Sequence, residues 1–175
     1  MKKVLFLAII SIALLGFGCD NSNSIEDNSP SNTESDYVDL ALPSGTLWKK
    51  SNESGLYTYG EAASKFSGLP TIKQCNELIN YCSWEWKDGT CIITGRNGNS
   101  ISMAASGIYD CNGNNAYPEK ICGFIWSADS EGEYLASDLS FHVAQREGAE
   151  ASVGVVTGTR ERCYQESVHL VKTKE

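Results

Sequence analysis

The stretch from Leu69 to Met103 constrains this chain most, because its hydrophobic period changes once, in the middle. Thr71 is placed to cap a helix by accepting from the backbone of the first turn, and Gln74 reaches back to complete a capping box. Ile72, Cys75, Leu78, Ile79 and Cys82 then fall on one helical face, with Lys73, Asn76, Glu77 and Asn80 on the other. Beyond Cys82 the period drops to two. Trp84 and Trp86 alternate with Glu85 and Lys87, Asp88-Gly89 signals a tight turn, Thr90–Thr94 runs back, and Asn97-Gly98 turns the chain into Ile101–Ala104. The pattern predicts a half-buried helix feeding a three-stranded antiparallel meander, hence a domain of the α+β class.

At 175 residues the chain holds one domain with a proper core. Its formal charge of -8 repels phosphate backbones and anionic lipid surfaces, which argues against nucleic acid as a partner. Seven cysteines are many for a reduced compartment, so the N-terminus matters. Lys2-Lys3 is followed by an apolar run from Val4 to Phe17 that is too short to span a bilayer, then by Gly18-Cys19-Asp20. This resembles a bacterial lipobox, with Gly16 where leucine is commonest and a bulky Phe17. Residues 1–18 are then a lipoprotein signal peptide, and Cys19 is the lipidated first residue of the mature chain. A plain signal peptide with a coincidental cysteine is the alternative.

Residues 19–36 are rich in Asn, Ser, Asp and Glu, with Ile25 as the single aliphatic side chain, and they read as a disordered tether. The domain is expected over residues 37–175. Tyr37 to Leu42 reads as a first strand that stops at Pro43, and Thr46-Leu47-Trp48 starts another. Gly60 to Phe66 has helical spacing. Ser106 to Ile121, rich in Gly and Asn, reads as a long surface loop. Gly123–Ser127 is a buried strand, Asp129 to Glu133 an acidic turn, and Tyr134 to His142, Ala151 to Val156 and Ser167 to Val171 are further strands, with a charged loop at Gln145 to Gly148.

Tyr37-Val38-Asp39-Leu40 with Leu42-Pro43-Ser44-Gly45-Thr46-Leu47-Trp48 is similar to the opening of the Fibrobacter succinogenes major paralogous domain family. Tyr57-Thr58-Tyr59-Gly60-Glu61-Ala62, Leu69-Pro70-Thr71, Cys82-Ser83-Trp84-Glu85-Trp86, Thr94 to Ile101, and Gly123-Phe124-Ile125-Trp126-Ser127 continue the resemblance in order. It covers nearly all of Tyr37 to Val171 and departs at Phe66-Ser67, where the family often has a cysteine, and at His169-Leu170, where it often has Arg-Pro. The resemblance implies a secreted or surface protein of Bacteroidota-type bacteria. It also implies a C-type lectin-like fold of two short helices, antiparallel sheets and a long loop region, with Tyr37 to Leu42 beside Ser167 to Val171. Trp84, Trp86 and Trp126 are expected in the core rather than on a sugar-binding platform, leaving Tyr117 as the better exposed contact.

Cys75 and Cys82 lie about 10 Å apart along one helix, too far to bond. Cys111 and Cys122 bracket the long loop, where a disulfide would contribute roughly 3 kcal/mol in the chain-entropy picture. Cys75, Cys82, Cys91 and Cys163 stay unassigned, and zinc is disfavoured because no Cys-x-x-Cys pair or nearby histidine exists. Asp110, Asn112 and Asn114 have calcium-loop spacing, but Asn115 replaces the glycine and Ile121 the closing glutamate, so calcium is a secondary expectation and no resident metal is assigned. Gly-x-Ser-x-Gly and His-Glu-x-x-His motifs are absent. The expected function is a non-catalytic, lipid-anchored domain at the outer membrane or cell surface. It would bind an extracellular glycan or protein through Asn114, Asn115, Tyr117, Glu119, Asp129, Glu133 and Tyr134. A structural or adhesin subunit of an envelope complex is the alternative, and an oxidase of the formylglycine-generating type is third.

Overall fold

The computed structural model describes residues 35–144 and 152–174. The signal peptide, Cys19, the tether up to residue 34 and the Gln145 to Gly148 loop lie outside the described residues. The domain opens with β1 (Tyr37–Asp39) and β2 (Thr46–Lys49), an antiparallel pair. A short helix α1 (Tyr59–Lys65) follows, and its Thr58 and Glu61 form a capping box. The longer helix α2 (Ile72–Tyr81) starts as its sequence predicts: Thr71 Oγ1 accepts from Gln74 N, and the Gln74 side chain accepts from Thr71 N at 2.8 Å. Cys75 and Leu78 on its inner face are fully buried.

The meander is also as predicted: β3 (Ser83–Lys87), β4 (Thr90–Thr94) and β5 (Ser100–Ala104) pair in order, antiparallel throughout. Asp88 and Gly89 take φ of 49° and 80°, the two positive values that a type I′ hairpin turn requires. Trp84 and Trp86 alternate inward and pack on the main core, and Trp84 Nε1 donates to Leu78 O at 3.2 Å, tying the strand to the helix.

Ser106 to Ile121 is not a structureless loop. It contains a hairpin of β6 (Ile108–Tyr109) and β7 (Asn115–Tyr117). The strands are too short to show a period of two, so nothing in the local sequence exposes them. The largest sheet comes next, with β8 (Cys122–Glu131), β9 (Leu135–Ala144) and β10 (Ser152–Glu161) in the order β10-β9-β8. Each strand is about 33 Å long. The acidic segment Asp129 to Glu131 belongs to β8 rather than to a turn, which is instead Gly132–Tyr134, with Gly132 at φ 64°. A register shift between Trp126 and Ser130 lets β8 continue past its buried half.

The final strand β11 (Val171–Thr173) pairs with β2, not with β1. The termini thus share one sheet but lie on either side of β2. Ser167, expected inside the last strand, instead bridges Ile125 in parallel, exchanging Ser167 N to Phe124 O and Trp126 N to Ser167 O. Two larger apolar clusters and one small one fill the interior. Leu40, Trp48, Cys75, Leu78, Ile93, Met103, Ile125, Leu139 and Phe141 belong to the largest, and Ala62, Leu69, Trp126, Ala136, Val168 and Leu170 make the second. The fold is α+β: β-sheets carrying two helices.

Candidate ligand-binding cleft

The hairpin of β6 and β7 is built around one carboxylate. Asp110 Oδ1 accepts from Asn112 N and Asn114 N, both at 2.8 Å, and Oδ2 accepts from Asn114 Nδ2 at 3.2 Å. Those donors hold the Asp110 carboxyl below its ordinary range. The alternate Asp-x-Asn-x-Asn spacing therefore makes a self-capping turn, and Asn114 is spent within it.

This turn presents Cys111 to solvent, where it forms a disulfide with Cys163. The expected Cys111–Cys122 bond is thus incorrect. Cys122 opens β8, and strand alternation turns its side chain into a small cluster with Ile108 and Phe124. It is 6% exposed, while Cys111 stands outside. Cys75, Cys82 and Cys91 are also free thiols, and burial pushes Cys75 and Cys91 up to about 12 and Cys82 to about 11.

Alternation continues past the end of β10. Arg160, Arg162 and Tyr164 are part-buried, whereas Glu161 and Cys163 point out. On the inner side Arg160 Nε donates to Asp138 Oδ2 at 3.0 Å and stands 3.0 Å from Glu166 Oε1, with its guanidinium 4.7 Å from the Phe124 ring centre. Glu166 is fully buried and Asp138 1% exposed. Burial, then the Asp138 charge, push the Glu166 carboxyl well above the carboxylate range. Both Glu166 oxygens and Asp138 Oδ1 lack a donor from any other group. A proton on Glu166, which the raised carboxyl favours, would give Asp138 one donor.

Arg162 secures the neighbouring turn: its guanidinium donates to Leu135 O at 3.2 Å and Gly132 O at 3.0 Å, above the Tyr59 ring. Between this turn and the segment after β10 lies a cleft of about 470 Å³, lined by Glu133, Tyr134, Leu135, Glu161, Arg162 and Cys163. Tyr134 is 74% exposed. The part-buried Arg160 and Arg162 and the disulfide at the edge fasten this rim to the fold.

The seven residues singled out in the sequence separate. Glu133 and Tyr134 line the cleft. Asn114, Asn115 and Tyr117 sit on the hairpin joined to the cleft edge by the disulfide, with Tyr117 half exposed above Phe124. Asp129 does not join them, because its Oδ2 accepts from Ile72 N at 2.6 Å and caps α2. Glu119 lines a separate cleft of about 390 Å³ with Asn52, Glu53, Thr90, Ser102 and Ser106. Glu161 and Arg162 are not singled out by the sequence, and Cys163 is there only an unassigned cysteine. Their one signal was an alternation running beyond the predicted strand, which had been ended too early.

His169 is fully buried, and burial lowers it to about 4, so it is neutral at pH 7. Its Nε2 donates to Lys49 O at 2.7 Å and its Nδ1 stands 3.0 Å from the Asn52 side-chain amide. It braces the β2 exit rather than facing either cleft. The Tyr134 rim combines an aromatic ring with two carboxylates, Glu133 and Glu161, which suits a polyhydroxylated or peptide ligand: the ring stacks and the carboxylates accept from hydroxyl or amide donors. Among the described residues no helix is long and apolar enough to cross a membrane. Comparison with known protein families, curated proteins and solved structures yields no match for this chain.

Proposed function

We propose that this chain is a lipid-anchored, non-catalytic binding protein of the bacterial outer membrane or cell surface. In this reading its lectin-like domain holds an extracellular glycan in the Tyr134 cleft. The observation that carries the reading is the rim itself, where an exposed aromatic ring shares a cleft with Glu133 and Glu161 on a turn that Arg162 fastens in place. Preorganisation of this kind reduces the entropy lost on binding. The Cys111–Cys163 disulfide ties the hairpin that carries Asn115–Tyr117 to the edge of this cleft, and in this reading Tyr117 is a second, separate contact. Anchoring through Cys19, the tether and the lectin-like family reading rest on the sequence patterns. Calcium is a secondary expectation in this reading, as no carboxylate of the rim requires it to hold a hydroxyl.

A protein ligand, as in an envelope complex, is the second reading. Tyr117 and Ile121, 51% and 48% exposed, give the hairpin an apolar surface that suits such a contact. The test is a glycan array probed with the oxidised full chain, with calcium and with chelator, beside Tyr134→Ala and Tyr117→Ala. Glycan binding that drops at least tenfold in Tyr134→Ala supports the cleft. Binding unchanged in Tyr134→Ala overturns it, and silence across the array turns the search to cross-linked protein partners.

A further inference from the structure

Glu161 and Cys163 lie on the outer side of the segment leaving β10, and Cys111 reaches them from the hairpin turn. These are the one group among the described residues in which three metal-ligating atoms converge, all within 4.8 Å of one another. Glu161 Oε2 stands 3.4 Å from Cys111 Sγ and 3.8 Å from Cys163 Sγ. A disulfide sulfur carries no proton, so neither contact is a hydrogen bond. Among the described residues Glu161 has no cationic partner, because the arginines on either side of it turn inward to Asp138, Leu135 and Gly132.

Those distances match a different bonding arrangement. Zinc bonds thiolate sulfur at about 2.3 Å and carboxylate oxygen at about 2.0–2.2 Å, so the sulfur-to-oxygen edge of a tetrahedral site is about 3.6 Å and its sulfur-to-sulfur edge about 3.8 Å. Both sulfur-to-oxygen edges are already present. Only the two sulfurs must separate, and they lie on Cα atoms 4.9 Å apart, held by two different turns. Side-chain rotation supplies that movement without unfolding either turn.

We propose that the reduced Cys111–Cys163 pair, with Glu161, is a site for a zinc-class divalent cation, so that the fold exchanges a covalent staple for a metal one. A dithiol reductant opens the bond: its thiolate attacks one sulfur, two electrons pass to the pair, the reductant leaves as its own disulfide, and two thiols remain. Zinc then binds both sulfurs as thiolates and releases their two protons to solvent. Glu161 supplies the third ligand, and the exposed fourth position is left to water. The cation keeps the hairpin fixed to the cleft edge after the disulfide is gone. The site shares Glu161 and Cys163 with the edge of the Tyr134 cleft but needs no glycan, so zinc binding and glycan binding are read by separate experiments.

The experiment titrates the full chain, reduced and freed of reductant under anaerobic conditions, with zinc alone by calorimetry, and records the zinc X-ray absorption spectrum of the complex. Cys111→Ser and Glu161→Gln run beside the natural sequence, with near-ultraviolet circular dichroism to establish that each variant is folded. The expected result has three parts: one zinc per reduced chain with two sulfur neighbours, affinity at least tenfold weaker in Glu161→Gln, and loss of that site in Cys111→Ser, the oxidised chain also lacking it. The proposal is overturned if the reduced chain binds no zinc, if Cys111→Ser binds it equally, which would place it on the other thiols, or if Glu161→Gln leaves affinity unchanged.

Discussion

Arg160, Arg162 and Tyr164 form the inner row of the segment leaving β10, and Glu161 and Cys163 its outer row. The two rows share a backbone yet obey different electrostatics. Inside, a part-buried Arg160 meets the buried carboxyls of Asp138 and Glu166, and burial with the Asp138 charge raises the Glu166 carboxyl so that it favours keeping its proton. Outside, Glu161 stays in solvent against a disulfide and is free to meet a cation or a ligand hydroxyl. A period of two thus divides one strand exit: the inner row fastens the strand and the neighbouring turn, and Glu161 and Cys163 of the outer row line the cleft.

Removing the outer staple should have the largest effect on stability. The bonded cysteines are 52 residues apart, and opening that loop with Cys111→Ser and Cys163→Ser together should cost about 4 kcal/mol in urea unfolding under oxidising conditions. A loss under about 1 kcal/mol would mean that the hairpin is held by packing alone. On the inner row, Arg160→Met leaves two buried carboxyls without their cation and should cost roughly 3 kcal/mol, more at pH 8 than at pH 5.

Arg162→Met should be milder, about 1 kcal/mol, since it loses two bonds to carbonyls at a part-exposed site. Its effect should instead be read in the turn, as faster amide exchange at Gly132 to Leu135. The smallest effect at low pH belongs to Glu166→Gln, within about 1 kcal/mol at pH 5. Its value lies in the pH profile. The folded chain keeps a proton on Glu166 that the unfolded chain releases near 4.5, so this group's contribution is fully present below 4.5 and is lost as pH rises toward its higher folded value. Urea midpoints of the natural chain should fall across that window, and Glu166→Gln should flatten the decline. An equal decline in the variant would show that Glu166 is ionised in the fold.

Where a segment stabilises itself, its sequence was legible. Thr71 and Gln74 announced α2, Asp88-Gly89 announced the turn of β3 and β4, and the alternation of Trp84 and Trp86 announced that they share one face. Legibility failed where the partner is distant. Asp129 looked like one of several acidic ligands because its role, capping α2 at Ile72 N, requires a helix from elsewhere in the chain. Cys111 was assigned to Cys122 by loop length, although the alternation of β8 had already turned Cys122 inward. His169 occurs in a predicted strand, and only the fold shows it bracing Lys49 and Asn52.

By itself, then, the sequence determined the α+β class, the two helices with the cap of the second, the meander and parts of the strands of the large sheet. Each depends on contacts within a few residues, whose hydrophobic period and turn chemistry are written locally. The tertiary structure alone decided that β11 joins β2, that Cys111 meets Cys163, and that Arg160, Asp138 and Glu166 share the interior. Those pairings join groups far apart in the chain, and burial of charge and closure of long loops are settled by the whole packed domain rather than by any window of its sequence.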